Sequence, residues 1–189
     1  MTPLMPLAAP SRWVVRFAPL IRRGGLVLDL ACGSGRHAAF LAATGHAVVA
    51  VDRDPQALAL LEGTPDVTAT CADLEGGPWP LEGRRFDGIV VANYLHRPLF
   101  PAIREALSDG GVLLYETFML GQQLLGKPSN PHFLLRPGEL LEAFADLTLV
   151  AFEQGRVEHP WPAVVQRLCA VRGAPVESIR LVGSPVGDG

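Results

Sequence analysis

Val27-Leu28-Asp29-Leu30-Ala31-Cys32-Gly33-Ser34-Gly35 decides how the chain is read: an apolar run of strand length, broken by one acid, ends in a glycine-rich turn that opens a helical pattern. Gly33 and Gly35 let the backbone turn sharply and come close to a ligand, which a side chain at either position would prevent. Downstream, Arg36 to Thr44 has helical spacing, with Leu41 one turn after His37 and Ala42 one turn after Ala38, and Gly45 stands where a left-handed C-cap belongs. Gly33-Ser34-Gly35-Arg36-His37-Ala38 also satisfies the G-x-G-x-x-G/A fingerprint, so a nicotinamide or flavin oxidoreductase is a competing reading. Asp29 argues against it, because a dinucleotide-binding strand stays apolar into the turn. An acid at a buried strand tip needs a partner.

Working outward, Ala47 to Val51 is a second all-apolar strand, of the kind buried on both faces of a parallel sheet, and it ends in Asp52. Asp52 stands where nucleotide-binding α/β folds place the acid that hydrogen-bonds ribose hydroxyls. Asp54 is assigned the cap of the next helix, with Pro55 in its first turn and Leu58 and Leu61 toward the core. Val67 to Cys71 reads as a third strand, nearer an edge, followed by Ala72-Asp73-Leu74. Phe86 to Val91 is a fourth, followed by Ala92-Asn93-Tyr94-Leu95-His96-Arg97. A helix from Pro98 to Leu107 then stops at Asp109-Gly110-Gly111, and Val112 to Thr117 is a fifth strand. Strands alternating with helices predict an α/β fold with a doubly wound, mostly parallel sheet, whose ligands bind beyond the carboxyl ends of the strands. Asp29, Asp52, Asp73, Asn93 and Glu116 all fall at that edge.

From Phe118 to Arg136 the chain loses periodicity and gathers Gly, Lys, Pro, Ser and Asn, a long loop over the same edge. Loops of this length in compact domains are usually functional or disordered. Helix returns over Pro137 to Phe144. Leu147 to Glu153 and Val164 to Val171 read as two strands with no crossover helix between them, so they pair antiparallel. This hairpin separates the readings, since a dinucleotide-binding half would continue with another parallel unit. At the other end, Ser11 to Phe17 is a short helix capped by Ser11, with Trp13 and Phe17 four apart, either a flap over the site or a pair packed on the core. The expectation is one domain over 1–172 and a loose tail over 173–189.

Composition narrows the partners. Net charge is -3, and the basic doublets Arg22-Arg23 and Arg84-Arg85 make no stripe that would neutralise a row of phosphates, so a nucleic-acid partner is disfavoured. Met1 to Pro10 lacks the basic start of a signal peptide, and no run approaches the length of a membrane span. Cys32, Cys71 and Cys169 are isolated from one another, without metal-ligand spacing. A cytoplasmic protein without structural metal or disulfide is the simplest expectation.

Taken together, the residues resemble class I S-adenosylmethionine-dependent methyltransferases, from about Ser11 to Val171. Val27 to Gly35 is similar to that family's first motif, Asp52 to its ribose-binding acid, Ala72-Asp73-Leu74 to its adenine-contacting acid, and Phe86-Asp87 to the start of its fourth strand. Leu107 to Leu114 is similar to its glycine turn before the fifth. The C-terminal pair resembles the hairpin that marks this fold, and Ala31 stands where the family often has glycine. Within the superfamily, Asn93-Tyr94-Leu95-His96-Arg97-Pro98 and Lys127-Pro128-Ser129-Asn130-Pro131 resemble small bacterial methyltransferases grouped with the tellurite-resistance enzymes. The Asn-Pro-Pro-Tyr motif of many amino-group methyltransferases is absent, since Tyr94-Leu95 follows Asn93 directly.

The resemblance implies a seven-stranded sheet, S-adenosyl-L-methionine as cofactor and a small-molecule methyl acceptor, such as a thiol or chalcogen oxyanion. Asp29, Ala31, Cys32, Gly33, Gly35, Asp52, Arg53, Asp73, Leu74, Asn93 and Trp13 are the expected cofactor-binding residues. For chemistry, His96 is the candidate base, with Tyr94 and Glu116, and also Arg97, as candidate acceptor contacts. Trp13, Tyr94 or Phe118 suits the sulfonium, a cation that aromatic faces attract. A protein that binds the cofactor without turnover is the third reading.

Overall fold

The computed structural model describes residues 8–180. Five strands come first, with helices before or between them except from β3 to β4: α1 Arg12–Phe17, β1 Leu26–Leu30, α2 Arg36–Ala43, β2 Ala47–Asp52, α3 Pro55–Leu58, β3 Val67–Cys71, β4 Phe86–Ala92, α4 Phe100–Ala106 and β5 Leu107–Phe118. The short helix α5 Glu139–Ala143 and the strands β6 Thr148–Val157 and β7 Ala163–Val171 complete the chain order. One seven-stranded sheet results, in the order β3-β2-β1-β4-β5-β7-β6. Strands β1 to β5 pair parallel, while β7 pairs antiparallel with both β5 and β6. The expected fold class, including the C-terminal hairpin, is what the chain adopts.

Strand alternation sorts the side chains onto two cores. Leu28, Leu30, Ile89, Val91, Leu113 and Tyr115 pack with Ile103 of α4 and Leu140 and Phe144 beside them. Val27, Val48, Ala50, Val90 and Leu114 face Trp13, Val14 and Phe17 of α1, with Ala38 and Leu41 of α2 and Leu58 of α3. Central strands buried on both sides explain the near-continuous apolar runs. Two of the expected caps are present: Ser11 accepts from the Trp13 N–H, and Asp54 accepts from those of Gln56 and Ala57, with Pro55 in the first turn.

Three boundaries differ from the expectation. Leu107 is already strand, paired with Phe86, and Asp109-Gly110-Gly111 is a bulge inside β5 rather than a turn before it. The Gly110 and Arg172 backbones hold it, the Gly110 N–H donating to the Arg172 carbonyl and the Arg172 N–H to that of Gly111. A side chain at Gly111 would strike the Phe86 and Ser108 carbonyls. Second, α5 begins at Glu139 after a left-handed Gly138, so Pro137 precedes the helix. Third, Phe118–Arg136 is no simple loop. It contains turns at Gln122–Leu124 and Pro131–Phe133, Met119 bridges to Leu135, and Leu134 and Leu135 are buried. At the C-terminus, Ala174 and Ile179 pack against the second core and the Thr148 hydroxyl donates to the Ala174 carbonyl. Residues 1–7 and 181–189 lie outside the described residues, with most of the expected tail.

Candidate cofactor and active site

The turn after β1 is built around two acids. Asp29 is 1% exposed and points toward α2, whose N-cap is Gly35 and therefore has no side chain to cap with. Asp29 Oδ2 accepts the Ala38 N–H at 2.9 Å, so the strand supplies the missing cap. Its partner is the helix rather than the glycine turn. Burial pushes the Asp29 carboxyl up to about 7, against the lowering effect of the Ala38 N–H. Asp52, at the end of β2, accepts the Gly33 N–H on Oδ2 at 2.7 Å and the Asp54 N–H on Oδ1 at 3.0 Å. One carboxylate thus fixes the glycine turn against the neighbouring strand end.

The glycines serve different purposes. Gly33 has φ +55°, and a side chain there would meet no protein atom, so the space over it is open to a ligand. Gly35 has φ +78°, and a side chain there would collide with Leu61 beneath the turn. Ala31 also takes a positive φ of 54°, which costs a non-glycine residue some strain. Cys32 is buried, and burial with the Asp29 and Asp52 charges pushes its thiol well up, holding it protonated.

Ala31, Asp52, Arg53, Ala72, Asp73, Leu74, Glu75 and Tyr94 line a cleft of about 170 Å³ across the carboxyl ends of β1 to β4. Pockets that enclose a whole small-molecule ligand run to roughly 300–1,000 Å³, so this cleft suits one end of a cofactor, with the remainder crossing the turn at Gly33. The Glu75 and Gly76 N–H groups hold the Asp73 carboxyl below the usual range. Asn93, in a left-handed conformation with φ 56°, anchors its N–H on the Glu116 carbonyl and turns Tyr94 back toward the cleft. Buried Tyr115 donates its hydroxyl to the Tyr94 carbonyl at 3.0 Å. A larger cleft, about 410 Å³, lies between the start of β6 and the ends of α4 and β7, and includes none of the expected site residues.

The structure brings Ala31, Asp52, Arg53, Asp73 and Leu74, expected as cofactor residues, together with Tyr94, expected as an acceptor contact, and adds Ala72 and Glu75. Glu75 sits two residues past Asp73, but acids beside a strand end carry no sequence signal for facing a cleft. Other expected site residues are placed elsewhere. Trp13 is 3% exposed, packs edge-on to Phe17 and donates its indole N–H to the Leu168 carbonyl at 3.2 Å, which makes it a core residue. Glu116 is paired with Arg167, which also reaches Glu153 at 3.1 Å. Arg97 is fully engaged: it holds both oxygens of Glu139 and donates to the His132 and Leu134 carbonyls. His96 stays half-buried beside the cleft, and among the described residues its imidazole has no hydrogen-bond partner. His37, beneath the turn, accepts the Ser11 N–H on Nε2 at 3.2 Å, and burial lowers its imidazole to about 4.

These residues fit S-adenosylmethionine. The open space over Gly33, the acid at the end of β2 and a second acid past β3 form a continuous cradle, and the acids would repel a pyrophosphate. Residues 27–111 match the family model of the methyltransferase domain. No curated protein matches the sequence. Among solved structures, TehB from Haemophilus influenzae superposes with a TM-score of 0.75 at 20% identity, covering 88% of this chain and 63% of that one, so the chain spans less than two thirds of that protein. A TehB-like S-adenosylmethionine-dependent methyltransferase from Corynebacterium glutamicum gives a TM-score of 0.63 at 21% identity over 85% of this chain and 86% of its own. Coclaurine N-methyltransferase, bound to N-methylheliamine and S-adenosylhomocysteine, gives 0.60 at 19% identity over 76% and 50%. Residues 27–111 therefore match a methyltransferase domain, and the chain shares the fold of TehB.

Proposed function

We propose that the chain is an S-adenosylmethionine-dependent methyltransferase that acts on a small anionic acceptor, a thiolate or a chalcogen oxyanion, admitted beside the Asn93–His96 segment. The carrying observation is the engagement of the polar groups at that end: Glu116 by Arg167 and Arg97 by Glu139 and two carbonyls. His96 is left as the side chain suited to take a proton there. An acceptor that arrives deprotonated needs little more than alignment, and holding two reactants in line supplies much of the acceleration.

When bound, S-adenosylmethionine supplies an electrophilic methyl, which passes to the acceptor lone pair while the sulfur keeps the carbon–sulfur bonding pair as a neutral thioether. In this reading Asp52 and Asp73 hold the nucleoside, Gly33 lets it approach the backbone, and Asn93 sets the turn that borders the acceptor. A thiol presented in its protonated form would lose its proton to His96.

The test is transfer of labelled methyl from S-adenosylmethionine to a panel of small thiols, selenite and tellurite, with catechols and primary amines for comparison. Turnover is expected with a thiol or an oxyanion and not with amines. Turnover confined to amines or catechols would contradict the acceptor class.

A further inference from the structure

Tyr94 was placed by the sequence among the acceptor contacts, yet its ring lines the cleft with Asp52, Asp73 and Glu75. Its Oη is buried and has no hydrogen-bond partner; among the described residues, His46 Nδ1 is the other buried side-chain atom in that condition. His46 begins before β2, at the opposite edge of the sheet from the cleft. An orphaned buried hydroxyl is destabilising unless something satisfies it. The Glu75 carboxylate stands near the hydroxyl but outside hydrogen-bonding geometry, and the backbone of Tyr94 is held in place. Asn93 fixes the entry of the chain, the Tyr115 hydroxyl fixes the Tyr94 carbonyl from below, and the ring packs on the core.

We propose that the Tyr94 hydroxyl reads the nucleobase, donating to a ring nitrogen of adenine when the cofactor is bound. The proposal rests on the cofactor assignment and moves Tyr94 from the acceptor to the base. It also gives the cleft a selectivity. Asp73 offers only lone pairs, suited to the exocyclic amine, while Tyr94 offers a proton, suited to an unprotonated ring nitrogen. An amino-purine presents that pair of groups. A 6-oxo-purine presents an acceptor where Asp73 also accepts, and a site built on hydrogen bonds rejects such a mismatch strongly.

Calorimetry of wild type and Tyr94→Phe with S-adenosylhomocysteine, its 1-, 3- and 7-deaza analogues and S-inosylhomocysteine tests this. Removing only the hydroxyl is expected to weaken S-adenosylhomocysteine about tenfold, the size of one neutral hydrogen bond. One deaza analogue should lose a similar factor in wild type and nothing further in Tyr94→Phe, and the inosyl compound should bind wild type poorly. Equal S-adenosylhomocysteine affinity in the two proteins, or a wild type indifferent to all three deaza analogues, would overturn the role of Tyr94 alone. A wild type that binds no S-adenosylhomocysteine would overturn the cofactor assignment as well. The deaza series needs only wild type, so the test stands even if the variant folds poorly.

Discussion

Asp29, in the middle of the sheet, caps α2 by accepting the Ala38 N–H at 2.9 Å, while Gly35 occupies the N-cap position itself. Two requirements are separated by this arrangement. The capping position stays glycine, free to take φ +78° over Leu61, and the capping oxygen comes from the strand beneath.

The arrangement predicts a pH signature. The Asp29 carboxyl is raised to about 7 by burial, so between about 4 and 7 the folded state holds a proton that the unfolded state has released. Stability from this group is therefore full below about 4 and falls as pH rises to 7. Asp29→Asn keeps an acceptor for Ala38 and removes the titration. The stability difference, wild type minus Asp29→Asn, should decline from pH 4 to 7 in urea unfolding; a flat difference would contradict it. Asp29→Ala also leaves the Ala38 N–H unpaired, so it should be about 1–3 kcal/mol less stable than Asp29→Asn at every pH.

His37 carries the opposite slope. Its imidazole is lowered to about 4, so between about 4 and 6.5 the unfolded state binds more protons and stability rises with pH. Wild type alone should show partial cancellation over that window. Replacing His37 with Gln should expose the Asp29 decline, measured by the same unfolding series. A variant whose profile matches wild type would refute the opposition.

Asp52 holds the Gly33 and Asp54 N–H groups and also lines the cleft. Asp52→Ala should weaken S-adenosylhomocysteine by about 1–3 kcal/mol, the scale of a charged hydrogen bond. Asp52→Asn should fall between, because it can keep the Gly33 contact. Calorimetry would reject this if both variants bound like wild type.

Arg97 joins the segment after β4 to the long segment after β5, through Glu139 and the His132 and Leu134 carbonyls. Arg97→Ala leaves nearly buried Glu139 with Arg136, at 3.6 Å, as its remaining cation. The side chain of Arg97 is itself 38% exposed, so solvent screening holds the expected loss to about 1–3 kcal/mol. Adding Glu139→Gln should recover part of it. Anchored at Met119, Gln122 and Leu135, the segment leaves its middle, around the 83% exposed Leu124, as the part that can close over bound cofactor. Hydrogen exchange there should slow with S-adenosylhomocysteine and quicken in Arg97→Ala; unchanged exchange in both cases would show that it is not a lid.

The sheet was legible because its central strands are buried on both faces and read as unbroken apolar runs, and because Asp52 and Asp73 follow directly on strand ends. Tyr94 was legible as a site residue but not as a cleft residue, since its direction depends on the left-handed turn at Asn93. Glu116 read as open because Arg167, its partner, lies 51 residues away on an antiparallel neighbour. The order within Phe118–Arg136 was hidden for a related reason: Arg97 and Gln122 anchor it through backbone carbonyls, which leave no periodicity in the sequence.

The central claim is that the cleft beside Gly33 takes an adenosyl amino acid rather than a dinucleotide. Titration calorimetry of the full chain with S-adenosylhomocysteine and, separately, with NAD tests it most directly. Saturable one-site binding of S-adenosylhomocysteine with no heat from NAD is the predicted result, and tight NAD binding with no response to S-adenosylhomocysteine would contradict it.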